Sequence, residues 1–157
     1  MHEMLMGEAQ REEAPGLAEL YAVAGINDYD ERDAAQALAA WDRMHQALPT
    51  VRVLVARRCD GTLMAALTLL ILPLVGHSGR PSALVEDVAV HPVMQRMGLG
   101  RQMMQRAMAL AREAGCYKLA LSSHDKREEA HRFYEGLGFE RQGVSFSVNL
   151  VEGLLAA

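Results

Sequence analysis

The sequence predicts an α/β domain in which helices flank a mixed central sheet. Three observations carry that prediction. Short apolar runs, alternating with polar residues or unbroken, read as strands; longer stretches repeat apolar residues at spacings of three and four; and glycine, proline or an acidic cap marks nearly every change of period. The elements follow one another as β-α-α-β-β-β-α-β-α-β, with no internal repeat or linker. At 157 residues there is room for one domain, residues 1–157, and half of the residues are apolar, which offsets the entropy of ordering such a chain.

Residues 2–8 read as a short first strand. Over residues 12–24, Leu17, Leu20, Tyr21 and Ala24 recur at helical spacing and Gly25 ends the helix. Asp30 or Asp33 caps a second helix over residues 34–48, with Ala37, Leu38, Trp41, Met44 and Leu48 on its apolar side and Pro49 behind it. Val51, Val53 and Val55 alternate with Arg52 and Leu54. Cys59-Asp60-Gly61-Thr62 then supplies turn chemistry and residues 63–72 run apolar again, an antiparallel hairpin. A polar loop with Gly76, Gly79 and Pro81 leads to a strand over 83–90, stopped by His91-Pro92. From Leu99, the residues Met103, Ala107, Leu110 and Ala114 keep helical period, and Gly115 sits where a C-terminal cap belongs. Residues 117–121 are short and strand-like. Asp125, followed three residues later by Glu128, opens a helix through Leu137 that Gly138 closes. Gly143 precedes a last strand, 144–151, in which Val144, Phe146, Val148 and Leu150 alternate with Ser145, Ser147 and Asn149.

A formal charge of −4 argues against a surface built for nucleic acid. The balance reverses locally: residues 94–132 hold eight basic and four acidic side chains, so an anionic ligand is drawn there. Cys59 and Cys116 stand far apart and in no metal-ligand spacing, which points away from a disulfide or a metal site and toward a reducing, cytoplasmic compartment. The first eight residues are acidic and lack a long apolar stretch, so no export signal is expected. The longest apolar run, 63–75, is interrupted by Thr68 and Pro73 and falls short of the roughly 18 to 20 residues that span a bilayer, so no membrane association is expected.

The chemistry is concentrated in Val88-Ala89-Val90-His91-Pro92-Val93-Met94-Gln95-Arg96-Met97-Gly98-Leu99-Gly100-Arg101. A strand ends, a basic loop with two glycines follows, and a helix begins at once. Backbone N–H groups there lack intrahelical partners, with the positive end of the helix dipole behind them, a setting that suits a pyrophosphate. Gly98 and Gly100 carry no Cβ, so phosphate oxygens can approach the main chain, and Arg96 and Arg101 add charge at the rim. Other motifs do not fit. A P-loop needs Gly-Lys-Ser/Thr where this loop has Gly100-Arg101-Gln102, and a dinucleotide fingerprint needs a third glycine where Met103 stands. Gly76-His77-Ser78-Gly79-Arg80 lacks the spacing of a serine-hydrolase elbow. The plainer alternative is an ordinary loop that starts a helix.

Gln95-Arg96-Met97-Gly98-Leu99-Gly100 resembles the Gln/Arg-x-x-Gly-x-Gly/Ala acetyl-CoA loop of the GNAT N-acetyltransferase superfamily. Ala130-His131-Arg132-Phe133-Tyr134-Glu135-Gly136-Leu137-Gly138-Phe139 is similar to that family's Ala-x-x-Phe-Tyr-x-x-x-Gly-Phe element, at the separation the family shows. The close resemblance covers residues 84–143; the first half is similar in layout alone. It implies a sheet splayed between its fourth and fifth strands, 84–90 and 117–122, with acetyl-CoA as cosubstrate in the opening. Main-chain groups of Val88, Ala89 and Val90 would pair with the pantetheine arm, and Gln95, Arg96, Met97, Gly98, Leu99, Gly100 and Arg101 would hold the pyrophosphate. Ser122, Arg127 and Phe133 are implied as further cofactor-binding residues, Arg127 standing where many members carry asparagine.

The resemblance also implies direct attack of an amine on the thioester, without an acyl-enzyme. An alkylamine with a pKa near 10 arrives protonated, so a base must take that proton. Glu86, on the face of Val88 and Val90, is the implied base, directly or through a water, and Tyr134 is the implied proton donor to the departing thiolate. Asp87 is expected on the opposite face. Each role has a plainer rival: Tyr134 as core packing, Glu86 as a solvated or arginine-paired carboxylate. His91, His124 and His131 fit turn, loop and helix-surface roles better than that of a base. Asp28, Asp30, Glu31 and Asp33 lie in a segment that GNAT enzymes place over the acceptor, or form a solvated loop and helix cap.

Glu86-Asp87-Val88-Ala89-Val90 with Cys116-Tyr117-Lys118-Leu119 resembles glucosamine-6-phosphate N-acetyltransferases, with Ser122 where those carry an acid. Residues 122–134 with Ser145-Phe146 resemble aminoalkylphosphonate N-acetyltransferases instead. The expectation is an acetyl-CoA-dependent N-acetyltransferase of a small primary amine, phosphonate- or phosphate-bearing by these resemblances, acting as a homodimer joined through 144–151. The rival is a CoA-binding sensor or interaction module without turnover. The acceptor pocket is expected to draw on the first half and on the 74–82 loop.

Overall fold

The computed structural model describes residues 4–26 and 33–150. The chain falls into two compact units, Met1–Leu121 and Ser122–Ala157.

In the first unit, β1 (Leu5–Glu8), β2 (Arg52–Arg57), β3 (Leu63–Leu72), β4 (Ser82–Val90) and β5 (Leu119–Ala120) form a sheet in that spatial order. The first four pair antiparallel. β5 runs parallel to β4, because the crossover through the helix α3 (Leu99–Glu113) delivers it in the same direction. β3 is apolar apart from Thr68 because both of its faces are covered. On one face Leu17 and Leu20 of α1 (Ala14–Val23) bury against Val53, Val55, Ala66 and Ala89, with Trp41 and Met44 of α2 (Ala34–Ala47) packed against the same cluster. By alternation Leu54, Leu67 and Leu69 face the other side, where Leu99, Met103, Ala107 and Leu110 of α3 are buried. Burying one such large side chain contributes roughly 1.5–3 kcal/mol.

Local chemistry sets the helix positions. Asp33, one of the two predicted caps, accepts the Ala35 and Gln36 amides at 2.8 and 3.0 Å. Arg11 pairs with Asp42 at 2.7 Å, tying α2 to the turn before α1, and Arg57 of β2 pairs with Glu13 at 2.8 Å. Burial opposes the ionisation of Glu13, but hydrogen bonds from Arg57 and the Gln10 amide, with the Arg57 charge, outweigh it and hold the carboxyl below its ordinary range.

β4 is irregular where the chemistry was expected. Ala66 faces Ala89 while Thr68 faces Glu86, so Asp87 and Val88 together oppose Leu67. Asp87 takes φ +51° to accommodate the extra residue, a left-handed conformation that Asp and Asn adopt more readily than other side chains. The pairing with β5 ends at Leu84–Ala120, which leaves β4 without a β5 partner from Val85 to Val90. The sheet therefore splays between its fourth and fifth strands. β5 itself is shorter than residues 117–121; Lys118 O accepts the Ala83 N–H of β4, and the Tyr117 N–H donates to Pro81 O just before that strand.

In the second unit, α4 spans Glu128–Glu135. Asp125 does not cap it: its carboxylate lies 2.9 Å from His124 Nδ1, and Arg127 occupies the cap position. The expected strand over 144–151 is also absent from the described residues. Residues 144–150 are irregular, with Val144, Phe146, Val148 and Leu150 78, 92, 77 and 88% exposed. Alternation creates a strand only where a neighbour completes the hydrogen bonds, and no described strand pairs with this segment. Residues 2 and 3 of the expected first strand and residue 151 of the expected last one lie outside the described residues. Among the described residues, no helix is long and apolar enough to cross a membrane.

Candidate active site

Beyond Val90, His91 Nδ1 accepts the Val93 N–H at 3.3 Å, and Pro92–Met94 wind one 3-10 turn, so His91 is the turn residue its sequence context indicates. The Gln95 side-chain amide donates to Val90 O at 3.3 Å, tying the loop back to β4. Arg96 at φ +62° and Gly98 at φ +82° then reverse the chain twice, and α3 starts at Leu99, whose side chain is buried. The first bond of the helix runs from Gln102 N–H to Gly98 O at 3.1 Å. The amides of Leu99, Gly100 and Arg101 therefore lie ahead of the helical ladder. A Cβ on Gly98 would meet no heavy atom within 4 Å, so open space faces the main chain there, and Arg96 and Arg101 are exposed beside it. This cradle of amides with two cations at its rim fits a pyrophosphate.

The structure thus brings Val88, Ala89, Val90 and residues 95–101 together at one end of β4. Val88 and Val90 are half-buried, and Ala89 is buried on the α1 face. Glu86 is exposed and stands opposite Thr68.

A cavity of about 410 Å³ opens between α1, α2 and the sheet. Asp87 and Thr68 lie on its floor, and Tyr21 and Trp41 on its walls. Alternation counted back from Ala89 already puts Asp87 on the α1 side, where the cavity opens; the bulge instead shifts Glu86 off the expected face of Val88 and Val90 and sets it opposite Thr68, on the cavity side. Desolvation by the surrounding groups pushes the Asp87 carboxyl up, although the cavity leaves it open to solvent. Burial also pushes the Tyr21 phenol up to about 12, with the Asp87 charge adding and the Thr68 hydrogen bond opposing. Trp41 stacks on His45 with centroids 4.2 Å apart, and His45 Nδ1 lies 3.1 Å from Trp41 O. The 74–82 loop contributes nothing to this cavity; its His77 stacks on Tyr117 at 3.9 Å instead. Asp28, Asp30 and Glu31 lie outside the described residues, and Asp33 is the helix cap. One signal for Asp87 was present in the sequence: two adjacent acids inside an apolar strand, where acids are disfavoured.

The second unit holds Ser122, Arg127, Phe133 and Tyr134. Tyr134 meets the rings of Phe133 and Phe139 edge-on, at 5.2 and 5.8 Å. Burial pushes its phenol up, with Arg127 partly opposing, so it stays protonated at neutral pH. Ser122 Oγ lies 3.5 Å from Ser145 Oγ. His131 Nε2 contacts His124 O at 2.9 Å, and His124 Nδ1 accepts the Lys126 N–H at 3.2 Å, local roles of the kind read for both. Among the described residues, no cluster of three His, Cys, Asp or Glu side chains is placed to hold a metal ion.

The chain belongs to the GNAT acetyltransferase family, which it matches over residues 14–139. A glucosamine 6-phosphate N-acetyltransferase of Trypanosoma brucei brucei is 36% identical over 85 residues, 52% of this chain and 56% of that protein. An aminoalkylphosphonate N-acetyltransferase of Salmonella typhimurium is 33% identical over 63 residues, 40% of this chain and 41% of that one. The match thus spans about half the length of these curated relatives. A solved structure from Agrobacterium tumefaciens str. C58 is 31% identical, with a TM-score of 0.84 over 92% of this chain and 99% of its own. That likeness, like the family match from residue 14 onward, includes the first half, where the motifs alone show resemblance only in layout.

Proposed function

We propose that this protein transfers an acetyl group from acetyl-CoA directly to a small primary amine. The observation that supports this most is the end of β4: a strand edge that β5 leaves unpaired, followed by a cradle of backbone amides at the start of α3. Acetyl-CoA supplies an acyl group activated as a thioester. Residues 95–101 receive its pyrophosphate, and the main chain of Val88, Ala89 and Val90 offers an edge to the pantetheine arm as an added strand. Ser122, Arg127 and Phe133 complete the cofactor set. Glu86 accepts the proton of the incoming ammonium, directly or through a water, and Tyr134 donates one to the departing sulfur. The names of the two curated relatives support a second, narrower reading, an acceptor that carries phosphate or phosphonate.

Two cysteines, far apart in the chain, support a reducing, cytoplasmic setting. The exposed alternating residues 144–150 support a homodimer in which this segment finds its missing neighbour in a second copy. A monomer in sedimentation at tens of micromolar would remove the dimer from the proposal.

Thiol release from acetyl-CoA in the presence of an amine panel tests the central reaction. Amine-dependent release is expected. Glu86→Gln should lower kcat/KM most below the amine's own pKa and recover in part as pH rises and free amine accumulates. Tight CoA binding with no turnover of any amine would establish the sensor module instead.

A further inference from the structure

The cavity between α1, α2 and the sheet holds chemistry that the reaction above leaves unused. Its floor carries a carboxylate, Asp87, while its walls are mostly small or apolar, among them Leu17, Ala37, Trp41 and Met44, with Gln36 and Arg43 the polar exceptions on α2. Left-handed backbone at position 87 explains an Asp or an Asn equally well, so the bulge accounts for the shape of this residue and not for its charge. Tyr21 and Thr68 hydrogen-bond each other, and among the described residues no cation forms an ion pair with Asp87. Asp87 keeps access to water, and a carboxylate beside largely apolar walls is stabilised when a counter-charge reaches it. The volume of about 410 Å³ lies within the roughly 300–1,000 Å³ range of small-ligand sites. An indole wall suits both a cation and an apolar body.

We propose that this cavity is the acceptor subsite and takes a primary ammonium on an apolar alkyl or aryl body, Asp87 binding the ammonium while Trp41 and the alanine wall of α2 hold the body. The assignment rests on the amine-acetyltransferase reading and narrows it. Among the described lining residues a phosphate would find one cation, Arg43, whereas anion recognition ordinarily gathers several donors.

Trp41 is the chain's one tryptophan, so its emission reports on the cavity directly. The experiment titrates the full chain, without acetyl-CoA, with 2-phenylethylamine, with the uncharged 2-phenylethanol of similar shape, and with 2-aminoethylphosphonate. The amine should bind roughly 10- to 100-fold tighter than the alcohol, the span expected for one charge-assisted hydrogen bond, and tighter than the phosphonate. Asp87→Asn, which keeps the bulge, should erase the preference for amine over alcohol. Tighter binding of the phosphonate, or a preference that survives Asp87→Asn, overturns the assignment. The two readings fail separately. Amine-dependent thiol release with unchanged kcat/KM in Asp87→Asn and a silent Trp41 sinks the subsite alone; an amine response at Trp41 with no turnover of any amine sinks the acetyltransferase alone.

Discussion

The loop from Gln95 to Arg101 and the cavity over Asp87 share one strand, β4, yet they are built on opposite principles. The loop presents main chain: left-handed turns at Arg96 and Gly98, amides ahead of α3, and side chains serving mostly as a charged rim. The cavity presents side chains, and each of Tyr21, Trp41, Thr68 and Asp87 comes from a different element. A site made of backbone requires particular residues at particular spacings, whereas a site made of side chains requires only that distant elements meet. The first suits a cosubstrate whose phosphates are always the same. The second suits an acceptor that differs among related proteins.

The sharpest break of this comparison lies outside both regions, at the proposed proton donor. Tyr134→Phe keeps the ring between Phe133 and Phe139 and removes only the hydroxyl, so kcat should fall roughly 10- to 10⁴-fold while thermal stability and acetyl-CoA affinity barely move. Because burial pushes this phenol up, kcat should show no loss from its ionisation between pH 6 and 9. Wild-type turnover in the variant returns Tyr134 to a packing role.

The backbone side of the comparison is tested at Gly100, the second residue of α3, where helical backbone accepts a side chain without left-handed strain. Gly100→Val should weaken acetyl-CoA binding by about 10- to 100-fold if phosphate oxygens approach the main chain there. Arg101→Ala should cost only about 2- to 5-fold, with the difference shrinking as salt rises, because a rim charge is screened. Calorimetric titration of acetyl-CoA at two ionic strengths distinguishes them, and the reverse order would make the site a side-chain site.

Smaller effects are expected on stability. Burial raises the Asp87 pKa above its unfolded value, so this group costs folding nothing at low pH and weakens folding as pH rises through the carboxylate range. Asp87→Asn should therefore raise the melting temperature at pH 7 by about 1 °C, a small step because the carboxylate keeps access to water, and the gain should vanish near pH 3. A melting temperature that falls would mean that Asp87 serves the fold. Glu13 has the opposite sign. Its pKa is held down by Arg57 and the Gln10 amide, so its contribution is present at neutral pH and lost as pH falls. Glu13→Gln should cost about 1 kcal/mol in denaturant unfolding at pH 7 and almost nothing near pH 3, with both sites intact.

The same contrast explains what could be read in the sequence. Helix periods, the cap at Asp33, the hairpin and the strand-to-helix loop are local, and they stand in the structure within a few residues of the predicted bounds. Asp87 was missed because nothing local shows that a cavity opens on its face of the sheet, and the extra residue in β4 breaks the alternation that put Glu86 with Val88 and Val90. Tyr21 and Trp41 were legible as apolar helix positions, but the spacing that packs a core is the spacing that walls a cavity. Residues 144–150 mislead in the other direction: alternation without a described neighbour leaves Phe146 exposed.

Amide-resolved NMR tests the division of labour between loop and cavity most directly. CoA added to the nitrogen-15-labelled protein should shift the amides of Arg96, Gly98, Leu99, Gly100 and Arg101 and leave the Trp41 indole unmoved. A primary alkylamine added afterwards should shift the Trp41 indole and the Asp87 amide. CoA that perturbs the cavity first, or leaves residues 96–101 untouched, contradicts the account.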